Sequence, residues 1–401
     1  MSSTSQAKLA PVSVLFVAHL VNDMYANFLP QFVAIMIAAH SLTVAAGTAL
    51  VSAFTVSSSL VQPVFGYLVD QKGQRWLVYV GTLWMSILLG ITGYISNYGL
   101  LLVVSTLAGM GTAAFHPQAA AMVGEASGSR KGFVLASFIA MGNIGLAISP
   151  VLLLPLFHRY GTGYTWLVII PGILVSLLLY WFAPRIKSDG ADVPGLGKVV
   201  SDLRKASSEL VKLMVVVALR SLVHTGLMTL LPMYFLAEKF SPETTGYLMF
   251  ATLATGAVGG VIGGYISDRY GRKPLIVGSL ILASFFFYGF LYTKGVLSII
   301  LLAVGGMALL SSFSVTVVAA QEVIPQNKAL ASGLSLGFAI GAGGLAVSLI
   351  GKYADHFGIY SAIHLIFILP LLAGIIGLLL KGETPLEQGA RVEIAQKSLY
   401  Q

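Results

Sequence analysis

The sequence predicts an all-α integral membrane protein whose twelve transmembrane helices form two pseudo-symmetric six-helix bundles. Hydrophobic residues make up 57% of the 401 residues and charged residues only 9%, whereas a soluble domain carries about 25% charged residues. Apolar windows of ~20 residues, the length that crosses a bilayer, recur twelve times along the chain. The second six windows also repeat sequence features of the first six.

The first predicted helix is a transmembrane helix that we expect to remain in the mature protein and not to be cleaved as a signal peptide. A cleaved signal peptide has an apolar core of about 7–15 residues, and the apolar stretch from Pro11 to Ala39 is longer. Short runs of turn-forming and charged residues separate the following windows. The predicted spans are 11–38, 43–69, 76–95, 98–124, 132–157, 162–184, 209–236, 243–267, 274–293, 295–323, 329–353 and 359–380.

One long polar interruption lies between the sixth and seventh spans. It contains Pro, Gly and charges, and its second part is amphipathic, as in a helix that lies at the membrane interface. The expected domains are therefore an N-terminal bundle (1–184), a cytoplasmic linker with an interfacial helix (185–208), a C-terminal bundle (209–381) and a cytoplasmic tail (382–401).

The basic residues predict the orientation of the chain. With both termini in the cytoplasm, the outer loops hold Arg159, Lys239, Lys294 and Lys352, and Arg220 lies within a span. All the others of the 23 Lys and Arg residues are then cytoplasmic, as the positive-inside rule requires. The net charge of +8 thus reflects topology, and nucleic-acid binding is not predicted. The absence of cysteine excludes disulfides and Cys-based metal sites.

Two hairpins carry the clearest internal repeat. "GYLVDQKGQR" (66–75) and "GYISDRYGRK" (264–273) share the pattern G-x-x-x-D-x-x-G-x-(R/K), and "NFLPQF" (27–32) matches "TLLPMY" (229–234). A parallel repeat of six spans predicts two bundles related by an axis along the membrane normal, with the substrate site at the midplane.

The repeated hairpins also predict a cytoplasmic gate. Their glycines permit a tight turn, and their carboxylates can cap a neighbouring helix N-terminus. We expect the acidic residues that end spans four and ten to pair with the basic hairpin residues. A plain positive-inside hairpin is the alternative for either copy taken alone. The predicted gate residues are Gly66, Asp70, Gly73, Arg75, Glu125, Gly264, Asp268, Gly271, Arg272, Lys273, Gln321 and Glu322.

The two hairpins resemble the cytoplasmic signature of the major facilitator superfamily. Within it, "AHLVNDMYANFLP" (18–30), "GMGTAAFHPQAAAMVG" (109–124), "GNIGLAISP" (142–150), "ALRSL" (218–222) and the segment 320–344 are similar to the fosmidomycin-resistance subfamily. The resemblance implies the major facilitator fold and a monomeric, multi-pass exporter in the bacterial inner membrane. It also implies multidrug efflux and antibiotic resistance driven by the proton gradient, without a cofactor.

One position departs from the superfamily pattern. Many antiporters of the superfamily have an arginine in span four where this chain has Ser105, so the proton-coupling scheme built on that arginine does not carry over. Span five has Gly145 and Pro150 but lacks the compact Gly-Pro pair. Antiport is therefore inferred from the subfamily.

A histidine and an aspartate in the middle of span one are the predicted proton-coupling residues. His19 and Asp23 are one helical turn apart and share a face. Because intramembrane carboxylates are functional by default, Asp23 is predicted to exchange the proton and His19 to tune or relay it. The structural alternative is a buried, hydrogen-bonded pair.

Span seven holds the matching pair, Arg220 and His224. The arginine fork suits a phosphonate, phosphate or carboxylate, and Asp23 is a candidate partner for it; a snorkelling arginine is the alternative. For the other polar residues, helix packing is the alternative to substrate contact. The predicted substrate contacts are Arg220, His224, His116, Asn22, Tyr25, Asn143 and Gln118, and no metal site is predicted.

The leading hypothesis is a proton-coupled antiporter that exports small anionic or amphiphilic compounds by alternating access. Its partners are then protons, a small-molecule substrate and the lipid bilayer. A proton symporter that imports an organic anion or metabolite is the alternative. A membrane-embedded enzyme would need clustered catalytic carboxylates, and the chain has no G-x-x-x-x-G-K-(S/T) pattern for ATP-driven transport.

Overall fold

A computed structural model of the chain describes residues 9–62, 64–65, 74–126, 131–184, 196–324, 331 and 334–382. Within these ranges all regular structure is helical, which confirms the all-α class. Ten helices in the described ranges are long and apolar enough to cross a membrane.

In the first half of the chain, the described residues form seven α-helices. They are α1 (Leu9–Ala26), α2 (Phe28–Ala38), α3 (Val44–Leu60), α4 (Trp76–Gly90), α5 (Tyr98–Ala126), α6 (Lys131–Tyr160) and α7 (Ile169–Phe182). Short 3₁₀ helices at Thr92–Tyr94 and Thr162–Val168 continue α4 and precede α7.

In the second half, the described residues form five helices of 21 to 42 residues. They are α8 (Leu196–Ala237), α9 (Pro242–Tyr270), α10 (Arg272–Tyr292), α11 (Gly295–Val323) and α12 (Ala339–Gly377), with a π-helical turn at Leu334–Phe338 before α12. The amphipathic part of the predicted linker is continuous with span seven, because α8 runs unbroken through both.

The helix limits differ from the predicted spans at three places. Span one breaks at Asn27 into α1 and α2, where Pro30 lacks the N–H that would bond to the carbonyl of Ala26. Helix α3 ends at Leu60, earlier than the predicted limit. Spans eleven and twelve form one element, α12, which is interrupted at Gly358. The φ of Gly358 is 85°, in the region that favours glycine.

The described residues divide into two compact units. Unit 1 falls within 1–192, 228–250 and 344–359, and unit 2 within 193–227, 251–343 and 360–401. In unit 1, α1 packs against α6, and α5 packs against both α3 and α4; in unit 2, α10 packs against α11. The domain limits 1–184, 185–208, 209–381 and 382–401 stay predictions.

The exposed surface of the helices is rich in large apolar side chains. Trp181, Val261 and Phe285 are each more than 60% exposed, although a soluble protein would bury most such residues. Buried hydroxyls bond to carbonyls of the preceding turn, as Thr82 Oγ1 does to Val78 O at 2.8 Å. This distribution is that of helices whose backbone bonds are satisfied internally and whose outer faces meet lipid.

Candidate functional site

Unit 1 places one carboxylate between two imidazoles. Asp23 Oδ2 lies 3.3 Å from His19 Nε2, and Asp23 Oδ1 lies 3.3 Å from His116 Nε2. His19 and Asp23 project from one face of α1, and His116 reaches them from α5. The side chains are 8%, 14% and 25% exposed for His19, Asp23 and His116, so the group is largely buried without being sealed. We call these three residues the imidazole–carboxylate cluster.

The His19 ring is held from behind by α6. Its Nδ1 lies 2.6 Å from the carbonyl oxygen of Phe138, and because a carbonyl can only accept, Nδ1 carries a proton and donates it. The His19 ring also stacks on the Phe138 ring, with 3.9 Å between centroids. Since Nδ1 holds a proton, Nε2 bears one only when the imidazole is cationic.

This arrangement leaves the cluster short of positive charge when His19 is neutral and Asp23 is ionised. An unprotonated ring nitrogen and a carboxylate oxygen then lie 3.3 Å apart. One proton, on Nε2 or on Oδ2, turns this repulsion into an attraction. The cluster is therefore built to hold an exchangeable positive charge.

Gly142 on α6 leaves room for the side chains of the cluster because it has no side chain of its own. A Cβ at position 142 would overlap Asp23 Oδ2 and would lie 2.6 and 2.7 Å from His19 Cε1 and Nε2. Three residues on, a Cβ at Gly145 would overlap the carbonyl oxygen of Leu20. The two glycines let α6 approach α1 closely. Sequence reasoning did not assign Gly142 to the site, and its only signal was the i, i+3 spacing of the glycines.

Two buried amides accompany the cluster on its own helices. Asn22 precedes Asp23 on α1, and Gln118 follows His116 by two residues on α5; both are fully buried. Neither the nitrogen nor the oxygen of either side chain has a hydrogen-bond partner among the described residues. Because each unpaired buried group costs about 1–3 kcal/mol, these amides call for water or ligand atoms.

The remaining unit 1 candidates differ in their surroundings. Tyr25 is 1% exposed, and its hydroxyl donates to the carbonyl of Val168, so this side chain joins α1 to the 3₁₀ helix before α7. Asn143 is half-buried. Substrate contact by these two residues stays a prediction.

Unit 2 buries the guanidinium of Arg220 on α8. The residue is 1% exposed, so the snorkelling alternative is not what is observed. Its Cζ lies 4.4 Å from the centre of the Phe313 ring, and Nη2 donates to Ser221 Oγ at 3.4 Å. Among the described residues, Nε and Nη1 have no hydrogen-bond partner. His224, one turn further along α8, is half-buried.

Three of the predicted gate residues of unit 2 form an ion-pair network. Arg272 Nη1 donates to Asp268 Oδ1 at 2.5 Å and to Ser267 Oγ at 2.6 Å, and Arg272 Nε donates to Glu322 Oε1 at 3.3 Å. Gly271 makes the turn between α9 and α10 with a φ of 94°. Gly264 lies in α9, Lys273 follows Arg272 in α10, and Gln321 precedes Glu322 in α11.

The first-half hairpin is described only in part. Arg75 donates to the carbonyls of Tyr180 (2.6 Å) and Leu179 (3.4 Å), at the C-terminal end of α7, where carbonyls lack helical partners. The expected pairing of Arg75 with a carboxylate stays a prediction. Gly66, Asp70 and Gly73 lie outside the described residues, as does the side chain of Glu125.

Comparisons with known proteins agree along the whole chain. The family model of the Major Facilitator Superfamily matches residues 13–238 and 213–399. The chain is 30% identical over 387 residues to the fosmidomycin resistance protein of Escherichia coli, covering 92% of this chain and 93% of that protein. It is 27% identical over 386 residues to the uncharacterised MFS-type transporter YfnC of Bacillus subtilis, covering 94% and 93%. The crystal structure of a mutant of the nucleoside transporter NupG superposes with a TM-score of 0.78 at 12% identity, covering 92% of this chain and 99% of that one.

Proposed function

The chain belongs to the Major Facilitator Superfamily and is a multi-pass membrane transporter, not an enzyme, and from this premise we propose that it is a proton-coupled antiporter. It exports fosmidomycin-like or other small anionic or amphiphilic toxic compounds by alternating access. The similarity to a fosmidomycin resistance protein over 92% of the chain supports the substrate class.

The observation that carries the proposal is the imidazole–carboxylate cluster. Asp23 lies between His19 and His116 with 3.3 Å to each ring nitrogen, and His19 Nδ1 donates its proton to the Phe138 carbonyl oxygen. One proton can thus move between Asp23 Oδ2 and His19 Nε2 without either heavy atom moving far. A carboxylate with an adjacent imidazole is the chemistry of proton relays within membrane proteins.

The buried guanidinium of Arg220 supports an anionic substrate. A desolvated charge needs a partner, and two of the nitrogen atoms of Arg220 have none among the described residues. A phosphonate or carboxylate would accept from this fork in a bidentate manner. The face of Phe313 already stabilises the cation from one side.

Coupling requires that the proton and the anion bias one conformational equilibrium. In the proposed cycle the substrate is loaded from the cytoplasm onto Arg220 while Asp23 is deprotonated, and protonation of Asp23 from outside resets the carrier. Each ligand shifts the equilibrium only by its different affinity for the two states. The proposed location is the bacterial inner membrane with both termini in the cytoplasm, and the proposed state is a monomer.

Transport in proteoliposomes of known orientation tests the proposal. With an acidic lumen that represents the outside, fosmidomycin should accumulate in the lumen while protons leave it. Asp23→Asn should abolish the gradient-driven flux, whereas Glu243→Gln, which alters a half-exposed carboxylate of unit 1, should leave it unchanged. Protons that move together with the substrate would identify the symporter instead. Full gradient-driven export by the Asp23→Asn variant would overturn the assignment of the proton site.

A further inference from the structure

We propose that the imidazole–carboxylate cluster is also a binding site for one divalent transition-metal ion of the Zn²⁺ class. Two imidazole nitrogens and a carboxylate are ligands that Zn²⁺ takes in proteins, with a fourth position left for water or another ligand. The proposal goes beyond antiport, since it requires neither a substrate nor a proton gradient.

The distances within the cluster suit such an ion. The ligand atoms of His19, Asp23 and His116 all lie within 4.8 Å of one another. At the usual Zn²⁺–ligand distances of about 2.0–2.2 Å, neighbouring ligand atoms of a tetrahedral site are separated by about 3.4 Å. The separations of His19 Nε2 from Asp23 Oδ2 and of His116 Nε2 from Asp23 Oδ1 are both 3.3 Å. Each imidazole therefore lies about one tetrahedron edge from one of the two carboxylate oxygens, and a small side-chain movement brings both to the same oxygen.

The support around His19 is that of a metal ligand. A metal-bound histidine almost always donates its other ring N–H to a carbonyl, carboxylate or water, which fixes the tautomer and the ring orientation. His19 Nδ1 makes this bond to Phe138 O at 2.6 Å. This bond fixes the His19 ring and leaves Nε2, 3.3 Å from Asp23 Oδ2, as the ring nitrogen available to the ion.

Ion and proton are alternative occupants of the cluster. Both supply a positive charge to the cluster, and a metal ligand must be deprotonated, so one ligand atom does not hold a proton and the ion together. Within the described part of the chain, the clustered titratable groups are His19, Asp23 and His116. Helix α6, packed against α1 at this point, contributes Gly142 and Phe138. A bound ion thus blocks proton exchange at Asp23.

Calorimetric titration of the purified, full-length protein in detergent with ZnCl₂ tests the site, without substrate and without a gradient. We expect one high-affinity Zn²⁺ per chain. Loss of a ligand in Asp23→Asn or His116→Gln should weaken binding about 100-fold or more, because loss of an outer partner alone costs roughly 10–100-fold. His356→Gln, which removes an exposed imidazole on α12, is the matched control and should bind as the wild type does.

Substitution by Co²⁺ provides a second readout, since tetrahedral Co²⁺ with nitrogen and oxygen ligands absorbs visible light strongly. If Asp23→Asn does not fold, the His116→Gln variant carries the test alone. Absence of stoichiometric binding to the wild type would overturn the proposal, as would wild-type affinity in His116→Gln. Because binding is measured without transport, a failure of the antiport proposal leaves this result unchanged, and the reverse also holds.

Discussion

An isolated charge at the centre of a bilayer costs at least ~2.5–3.5 kcal/mol, and Asp23 is not isolated. Two imidazoles lie at 3.3 Å from its oxygens, and each can bring the proton or the cation that neutralises it. Arg220 is the opposite case, because its charge is buried with two nitrogens unpartnered among the described residues. At the scale of single residues, Asp23 thus has two groups beside it that can carry a neutralising proton or cation, whereas Arg220 has no carboxylate partner among the described residues.

The Gly142→Ala substitution should displace the side chains of the imidazole–carboxylate cluster while leaving all three of its residues in place. The added Cβ overlaps Asp23 Oδ2, and an overpacked contact of this kind costs about 1–3 kcal/mol. We expect a lower thermal unfolding midpoint in detergent and reduced proton-driven transport. Gly278→Ala on α10 is the control, since a Cβ there meets nothing within 4 Å. Equal effects of the two substitutions would contradict the role of Gly142.

The Arg220→Met substitution should raise the folding stability of the protein and abolish the binding of fosmidomycin. Replacing an unpaired buried charge by an apolar side chain of similar length should stabilise the ligand-free protein by about 1 kcal/mol or more, while fosmidomycin-induced thermal stabilisation disappears. Arg220→Lys keeps the charge but loses the fork, so binding should fall about tenfold. The comparison is Arg159→Met, which alters an exposed arginine. A thermal shift by fosmidomycin that persists in Arg220→Met would exclude the site.

At the scale of helices, two neighbouring contacts within unit 1 hold α3 against the first half of α12. The carboxylate of Asp355 accepts from the backbone N–H groups of Val44 (2.8 Å) and Ala45 (2.9 Å) at the N-terminus of α3, where helix donors are unpaired. Gly351 lies one turn before Asp355, and Thr48 lies one turn after Val44. A Cβ at Gly351 would overlap Thr48 Oγ1. A carboxylate cap and a close glycine contact therefore hold these two helices together.

Asp355→Ala should weaken this helix pair. Loss of a side-chain cap costs about 0.5–2 kcal/mol, so the unfolding midpoint should fall. Lys352→Ala on the same turn of α12, an exposed residue, should leave it unchanged. The measurement is the thermal unfolding midpoint of each variant in detergent. An unaltered midpoint for Asp355→Ala would mean that the cap adds no stability.

For the whole molecule, the distribution of Lys and Arg predicts which loops face the cytoplasm. The chain has no cysteine, so single-cysteine variants report accessibility without further engineering. In intact cells a membrane-impermeant maleimide should label Lys352→Cys and should not label Arg269→Cys; both positions are exposed. Permeabilised cells should label both. The reverse pattern would invert the proposed topology.

The sequence by itself determined the all-α class, the series of membrane-spanning helices and the family. The class and the spans follow from local hydropathy and from helix-breaking residues such as Pro30 and Gly271. The family follows from short motifs, each of which occupies only a few consecutive residues. It also indicated His19 and Asp23 as a pair, since an i, i+4 spacing puts both on one helix face. Each of these inferences depends on residues that are neighbours along the chain.

Only the tertiary structure brought His116 to Asp23, the Phe138 carbonyl to His19 across 119 residues, and Asp355 to the start of α3 across 311. It also showed that Arg220 is buried over Phe313 and that Gly142 bounds the carboxylate. In a membrane helix the lipid-facing and protein-facing sides are both apolar, so hydrophobic periodicity does not tell which faces meet. Contacts between helices are set instead by close packing of small residues and by polar groups that need partners.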